Sequence, residues 1–253
     1  MGNEQRVSVE RRGPVLIIRM CRESKRNAVD PLMTAALDEA LNHLDDDVDL
    51  WCGVLVGGEG AFSAGTDLAS GAGDPTERGG PYGLIKRRRR TPLIAAVEGI
   101  AFGGGFELVM SCDMVVAGRS ARFGLPEVAR GVIPTCGGLF RTWQSLPLMV
   151  AKQLVLTGKP LTARRAYELG LVNEIVDDGE AQNGAIELAE RVCENSPFAV
   201  SASLTAMNDV IATAEDVGWL RTDQALDSIL ASEDHQEGVA AFLEKRSPRW
   251  RGR

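Results

Sequence analysis

The feature that most constrains this chain is an apolar run, Leu93 to Val97, followed by three consecutive glycines, Gly103 to Gly105, and then a helical pattern. A buried strand that turns through glycine into a helix commits the chain to packing helices against a sheet. Glycines at such a turn permit positive φ and let a ligand approach the amides closely. The helix carrying Phe106, Leu108, Val109 and Met110 opens with unpaired N–H groups and the positive end of its dipole. That end holds negative charge, including charge that exists only in a transition state. Two carboxylates accompany it: Glu107 in the first turn, and Glu127, twenty residues on behind Pro126. Taken alone, the triplet reads equally as a tight turn and Glu107 as a residue complementing the dipole, so the rest of the chain decides.

The flanking sequence extends the same pattern. Val7 to Glu10 and Val15 to Met20 predict a β-hairpin. Asp30-Pro31 is an N-cap followed by proline at the first helical position, and Leu32, Ala36, Leu37, Ala40, Leu41 and Leu44 mark one helix face. Trp51 to Val56 predicts a buried strand, and 58–68 an irregular loop. Residues 69–80, rich in Gly, Asp and Pro, predict a mobile segment, and Tyr82 to Arg90 a helix ending in Lys-Arg-Arg-Arg-Arg. Strands are predicted at Asp113 to Ala117 and Val172 to Val176, with helices at 137–145, 148–157 and 163–169. Beyond Gly179 the pattern is helical over 179–195, 198–213, 216–231 and 235–246. Strands alternating with helices give an α/β fold, divided here into a core over 1–195 and a helical region over 196–253.

Several functions are disfavoured by composition. With 253 residues, a formal charge of −7 and 25% charged side chains, the chain lacks the basic excess of a nucleic-acid binder. Its five cysteines show no CxxC spacing and its two histidines, His43 and His235, stand apart, so no metal site is expected. The N-terminal segment Met1 to Arg6 lacks a signal-peptide pattern, and no apolar run reaches membrane-spanning length, which predicts a cytoplasmic protein. Gly58-Glu-Gly60 is not continued as a dinucleotide fingerprint, and there is neither a P-loop nor a Gly-x-Ser-x-Gly elbow.

Ordered motifs carry a more specific reading. Phe-Ser-Ala-Gly-Thr-Asp-Leu (62–68), the run from Pro92 to Gly105, Phe-Gly-Leu-Pro-Glu…Gly-Val-Ile-Pro (123–134), Leu-Thr-Gly (156–158), Ala-x-x-x-Gly-Leu-Val (166–172) and Phe-Leu-Glu-Lys-Arg (242–246) follow one another. In this order the chain resembles the crotonase (enoyl-CoA hydratase/isomerase) superfamily over nearly its whole length. The resemblance implies a spiral of ββα turns and a C-terminal helical region that builds homotrimers, often paired into hexamers.

Carried over by resemblance, the backbone N–H groups of Thr66 and Gly104 would form an oxyanion hole for an acyl-CoA thioester. Glu107 would activate water and Glu127 would protonate the α-carbon. Lys25, Arg26, Ala28, Ala64, Asp67, Leu68, Ala69, Phe242 and Lys245 match positions that line the CoA site. CoA is then part of the substrate, and neither metal nor separate cofactor is implied. Both glutamates together favour an enoyl-CoA hydratase; the alternatives are an isomerase or acyl-CoA hydrolase of the same superfamily, or a silent acyl-CoA-binding protein. Arg87 to Arg90 read as a solvated helix face rather than a contact to CoA phosphates. Two departures bear on the acyl group: Pro134-Thr-Cys-Gly-Gly138 stands where many members have Pro-Gly-x-Gly-Gly, and Phe106 is bulky for a short-chain hydratase. The Phe-Gly-Gly-Gly-Phe-Glu-Leu run (102–108) and the ending Lys245 to Arg253 look closer to the carnitinyl-CoA dehydratase-like branch.

Overall fold

The computed structural model describes residues 5–253; the segment before them, on which part of the N-terminal reading rests, lies outside the described residues. Val7–Arg12 (β1) and Val15–Met20 (β2) form the expected antiparallel hairpin. Asp30 caps Pro31–Asp46 (α1), its side chain accepting from the Met33 N–H at 2.8 Å. Strands then come in consecutive pairs: Cys52–Val56 (β3) and Ala61–Ser63 (β4), Leu93–Val97 (β5) and Ile100–Phe102 (β6), Met114–Gly118 (β7) and Arg122–Gly124 (β8). Gly104–Met110 (α2) follows the second pair and a 3-10 turn, Glu127–Arg130, the third. Gly138–Ser145 (α3), Leu148–Thr157 (α4), Leu161–Thr162 (β9), Ala163–Glu168 (α5), Glu174–Val176 (β10), Ala181–Cys193 (α6), Pro197–Leu230 (α7) and Glu233–Leu243 (α8) complete the described chain.

The first strand of each pair enters a six-stranded sheet of order β1-β2-β3-β5-β7-β10; the second enters a four-stranded sheet of order β4-β6-β8-β9. This is an α/β fold of the ββα-spiral kind. Alternation along the large sheet explains its two buried faces. Leu16, Ile18, Leu55, Ala95 and Val97 join one core with α1, while Val15, Ile17, Val54, Ile94 and Ala96 join another under Ala181, Ala185 and Ala189 of α6.

The small sheet positions the site. β4 runs parallel to β6 with Ser63 opposite Ala101, and β6 runs parallel to β8 with Phe102 opposite Gly124. The carboxyl ends of three adjacent parallel strands therefore release three loops side by side: 64–67, 103–104 and 125–127. In open α/β sheets, that end is where ligands bind.

Four sequence-based expectations are corrected. Residues 69–80 are anchored to α1, Thr34 Oγ1 donating to the Ala72 carbonyl and Thr76 Oγ1 to Asp38 Oδ1, each at 2.6 Å. Tyr82 to Arg90 is no helix: only Pro81–Gly83 makes a 3-10 turn, with Tyr82 and Gly83 at positive φ. Arg87 and Arg89 are buried rather than solvated, Arg87 in ion pairs with Asp38 and Asp45, and Arg89 with Asp113. Finally, the two helices expected over 198–231 are one, α7, because no proline lies between Pro197 and Leu230 and Gly218 packs directly beneath the Phe140 ring.

Candidate active site

Glu107 is the fourth residue of α2 and is buried. Its Oε1 accepts two backbone N–H bonds, from Cys136 at 2.7 Å and from Gly138 at 2.8 Å. Gly138 has to be glycine, since a Cβ there would lie 3.0 Å from that oxygen and 2.6 Å from Pro134 Cβ. Burial pushes the Glu107 carboxyl up to about 7, against the pull of those two N–H bonds and of the Arg141 guanidinium.

Glu127 opens the 3-10 turn after β8. The residue is only partly covered, yet its Oε2 is shut off from solvent and has no hydrogen-bond partner among the described residues. Its Oε1 lies 3.1 Å from where a Cβ on Gly103 would stand, so the two carboxylates flank one glycine turn. Burial first, and then the charge of Glu107, push Glu127 up to about 8. Both carboxyls are thus raised towards neutral pH, the range in which a carboxyl can serve as a proton donor or acceptor.

The two loop amides lie next to this pair. A Cβ on Gly65 (φ +86°) would meet the Gly104 nitrogen at 2.7 Å, so loops 64–67 and 103–104 touch backbone to backbone. Loop 64–67 is held by a parallel bridge to Val29 that uses the Gly65 carbonyl and the Asp67 N–H, which turns the Thr66 N–H to the other side. Gly104 begins α2, where no intrahelical acceptor exists. Among the described residues neither N–H donates a hydrogen bond. Two free amides beside two carboxylates are the parts needed to polarise a carbonyl and move protons next to it.

Comparison with known proteins identifies the family. The family model described as Enoyl-CoA hydratase/isomerase matches residues 10–253. The chain belongs to the enoyl-CoA hydratase/isomerase family. It is 38% identical to the enoyl-CoA hydratase EchA19 of Mycobacterium tuberculosis, covering 97% of this chain and 96% of that protein. It is 37% identical to a carnitinyl-CoA dehydratase of Salmonella paratyphi A, covering 96% and 97%. The crystal structure of a carnitinyl-CoA hydratase from Mycobacterium avium superposes with a TM-score of 0.93 at 42% identity, over 98% of this chain and 99% of that one.

The remaining residues singled out by resemblance to this family are dispersed. Lys25 and Arg26 are exposed, and Ala28 is half-buried, on a loop joined to the 64–67 loop by the bond from Ala64 N–H to the Arg26 carbonyl. Asp67 is engaged with Arg22 at 2.6 Å and the Ala69 N–H at 2.9 Å, which holds its carboxyl below the usual range. Leu68 and Ala69 are exposed beside it. Phe242 lies on α8 and Lys245 just beyond it: α8 packs on the Glu127–Arg130 turn, and the Arg130 guanidinium lies 5.0 Å over the Phe242 ring. No hydrogen bond or ring contact among the described residues joins them to the Lys25 loop. Phe106 turns into the core against Phe123, with ring centroids 5.7 Å apart, so its bulk fills the interior. Among the described residues no group of His, Cys, Asp or Glu could hold a metal, and no helix is long and apolar enough to cross a membrane.

Other site residues escaped the sequence reading. The amides of Cys136 and Gly138 were hidden because the contact is made by backbone, though Gly137-Gly138 before a helix was a usable signal. Arg141 pairs with Glu215 through both guanidinium edges, at 2.7 and 2.8 Å, and donates to Ser111 Oγ, which in turn donates to the Glu107 carbonyl. Tyr82, with its hydroxyl 2.6 Å from Thr66 Oγ1, was missed altogether.

Proposed function

We propose that this protein is an enoyl-CoA hydratase that reversibly adds water to a 2-enoyl-CoA thioester to give a 3-hydroxyacyl-CoA. The observation that carries the reading is the buried Glu107 carboxyl and the partly covered Glu127, both raised above the usual carboxylate range, beside two amides with no internal acceptor. The thioester carbonyl accepts from the Thr66 and Gly104 N–H groups. That drains electron density from the β-carbon and stabilises the enolate, each donor contributing about 3–4 kcal/mol. Glu107, whose ionised form is favoured by two backbone N–H bonds and by Arg141, takes the proton from water as the water oxygen attacks the β-carbon. Glu127, pushed towards its protonated form by burial and by the charge of Glu107, delivers a proton to the α-carbon. Hydration leaves Glu107 protonated and Glu127 ionised, and passage of that proton from Glu107 to Glu127 through solvent restores both for the next turnover; dehydration runs the same steps in reverse.

Similarity to an enoyl-CoA hydratase and to carnitinyl-CoA dehydratases supports this chemistry class. The exposed Lys25 and Arg26 suit the phosphates of CoA, and no metal or separate cofactor enters the scheme. Large apolar side chains exposed on α7, among them Phe198, Met207 and Val210, suit burial against further copies in a homotrimer or hexamer. The deciding experiment is loss of the conjugated enoyl-thioester absorbance with crotonyl-CoA and with longer and branched 2-enoyl-CoAs. Rapid loss with any of them is the expected result; no loss across the panel, with thioester binding intact, overturns the reading.

A further inference from the structure

Tyr82 occupies a backbone conformation (φ 56°, ψ 10°) that a bulky side chain rarely adopts. It sits within Gly79-Gly80-Pro81-Tyr82-Gly83, where Gly80 and Gly83 also have positive φ and Gly79 packs on the Gly83 carbonyl. Glycine would hold position 82 without strain. A tyrosine retained there against the local preference points to use of its side chain.

The side chain is buried, and its surroundings are specific. The hydroxyl shares a 2.6 Å hydrogen bond with Thr66 Oγ1. The phenol rests on Gly104 so closely that a Cβ on Gly104 would strike the phenolic oxygen and stand 2.8 Å from two ring carbons. The thiol of Cys136, whose amide holds Glu107, lies beside the same hydroxyl. Tyr82 thus touches both oxyanion-hole residues and the loop that anchors the water-activating carboxylate. A carbonyl held between Thr66 and Gly104 would therefore have this ring among its nearest side chains.

We propose that Tyr82 is the specificity-determining wall of the acyl site, its ring closing the pocket behind the oxyanion amides so that short acyl groups are accepted and extended hydrocarbon chains refused. This rests on the acyl-CoA reading above. The bond to Thr66 explains a tyrosine in place of phenylalanine: it fixes the wall against the loop that carries one of the two amides. Phe106, which sequence comparison offered as the bulky residue of the pocket, faces the core instead.

The test measures calorimetric binding of butyryl-CoA and octanoyl-CoA, saturated thioesters that do not react, to the intact protein. Tyr82→Gly removes the ring while suiting the left-handed backbone, and Tyr82→Asn, also tolerant of that conformation, is the second opening variant. Wild-type protein should favour butyryl-CoA. In a folded opening variant the octanoyl-to-butyryl affinity ratio should rise at least about tenfold, the scale of pocket discrimination among hydrocarbon groups. Tyr82→Phe, which keeps the ring, should leave the ratio near that of wild type, an outcome that general loosening of the fold would not give. An unchanged ratio in folded Tyr82→Gly or Tyr82→Asn overturns the wall while leaving the hydratase reading intact. Failure of wild-type protein to bind either thioester sinks both.

Discussion

The backbone N–H of Gly138 donates to Glu107 Oε1 at 2.8 Å, so the first turn of α3 holds the carboxylate of α2 from across the site. Together with the Cys136 N–H, this leaves the second oxygen of Glu107 with no hydrogen bond among the described residues. Glu107→Gln keeps an acceptor for both amides but cannot take a proton. Glu127→Gln likewise keeps the shape without the acid. Each should lower kcat for crotonyl-CoA hydration by about two orders of magnitude or more, with acyl-CoA affinity nearly unchanged. Steady-state rates together with calorimetric binding check this. Near-normal hydration by Glu107→Gln would remove it from the role of base.

The pH profile follows from the same two groups. In the proposed roles Glu107 works ionised, so kcat/KM should rise with pH through about 7. Glu127 works protonated, so the rate should fall through about 8. The expected profile is a narrow bell centred between them, with the limbs belonging to the coupled pair. A profile flat from pH 6 to 9 would contradict the pairing of roles.

Burial of Glu107 also has a thermodynamic consequence. A carboxyl raised from 4.5 to about 7 in the folded state costs nothing while protonated in both states, below the unfolded value. Stability is then lost as pH rises towards and through the folded value, by roughly 3 kcal/mol once ionisation is complete, at 1.36 kcal/mol per unit. Glu107→Gln should therefore unfold at higher denaturant than wild type at pH 8.5, with the difference vanishing near pH 4. A constant offset across that range would show that the effect is not ionisation.

Arg141 ties this carboxylate to the C-terminal helix. Its guanidinium meets Glu215 of α7 with both side chains largely buried, and it draws the Glu107 carboxyl down. Glu215→Leu strands a buried cation and should cost about 3–5 kcal/mol in denaturant unfolding. Arg141→Met removes the positive charge and should move the acidic limb of the pH profile upward. An unmoved limb would show that Arg141 only braces α3.

The positions of the glutamates were legible because they belong to local strand-to-turn units, and β4, β6 and β8 carry those turns to one end of a sheet. Other parts depended on distant partners. Arg87 and Arg89 lie in a run of five basic residues that reads as a solvated surface. The chain there is extended, alternate residues face inward, and their carboxylates come from Asp38, Asp45 and Asp113. Tyr82 was invisible for a related reason: its backbone is set by glycine contacts within 79–83, and its partners Thr66 and Gly104 arrive from two strand ends. The continuity of α7 was obscured by a polar stretch whose Glu215 is buried in its pair with Arg141.

The close packing of Tyr82 on Gly104 gives a prediction that separates backbone from side chain. In Gly104→Ala the new methyl would occupy the space of the phenolic oxygen, with ring carbons at 2.8 Å, so either the ring or the start of α2 must shift. A shift of α2 moves the Gly104 N–H off the thioester oxygen, and losing one such donor costs about 10²–10³ in kcat. If the clash with the ring is the cause, Tyr82→Gly in the Gly104→Ala background should recover a large part of that loss, because the two residues share one space and their effects are not additive. Gly65→Ala offers the contrast. Its methyl would meet the Gly104 nitrogen itself at 2.7 Å, a backbone collision that no change at Tyr82 relieves. Measuring kcat for the two single glycine variants, alone and combined with Tyr82→Gly, checks this. Rescue of Gly104→Ala but not of Gly65→Ala would place the phenol against the oxyanion amide during turnover; equal behaviour of the two pairs would mean that the ring leaves Gly104 when substrate binds.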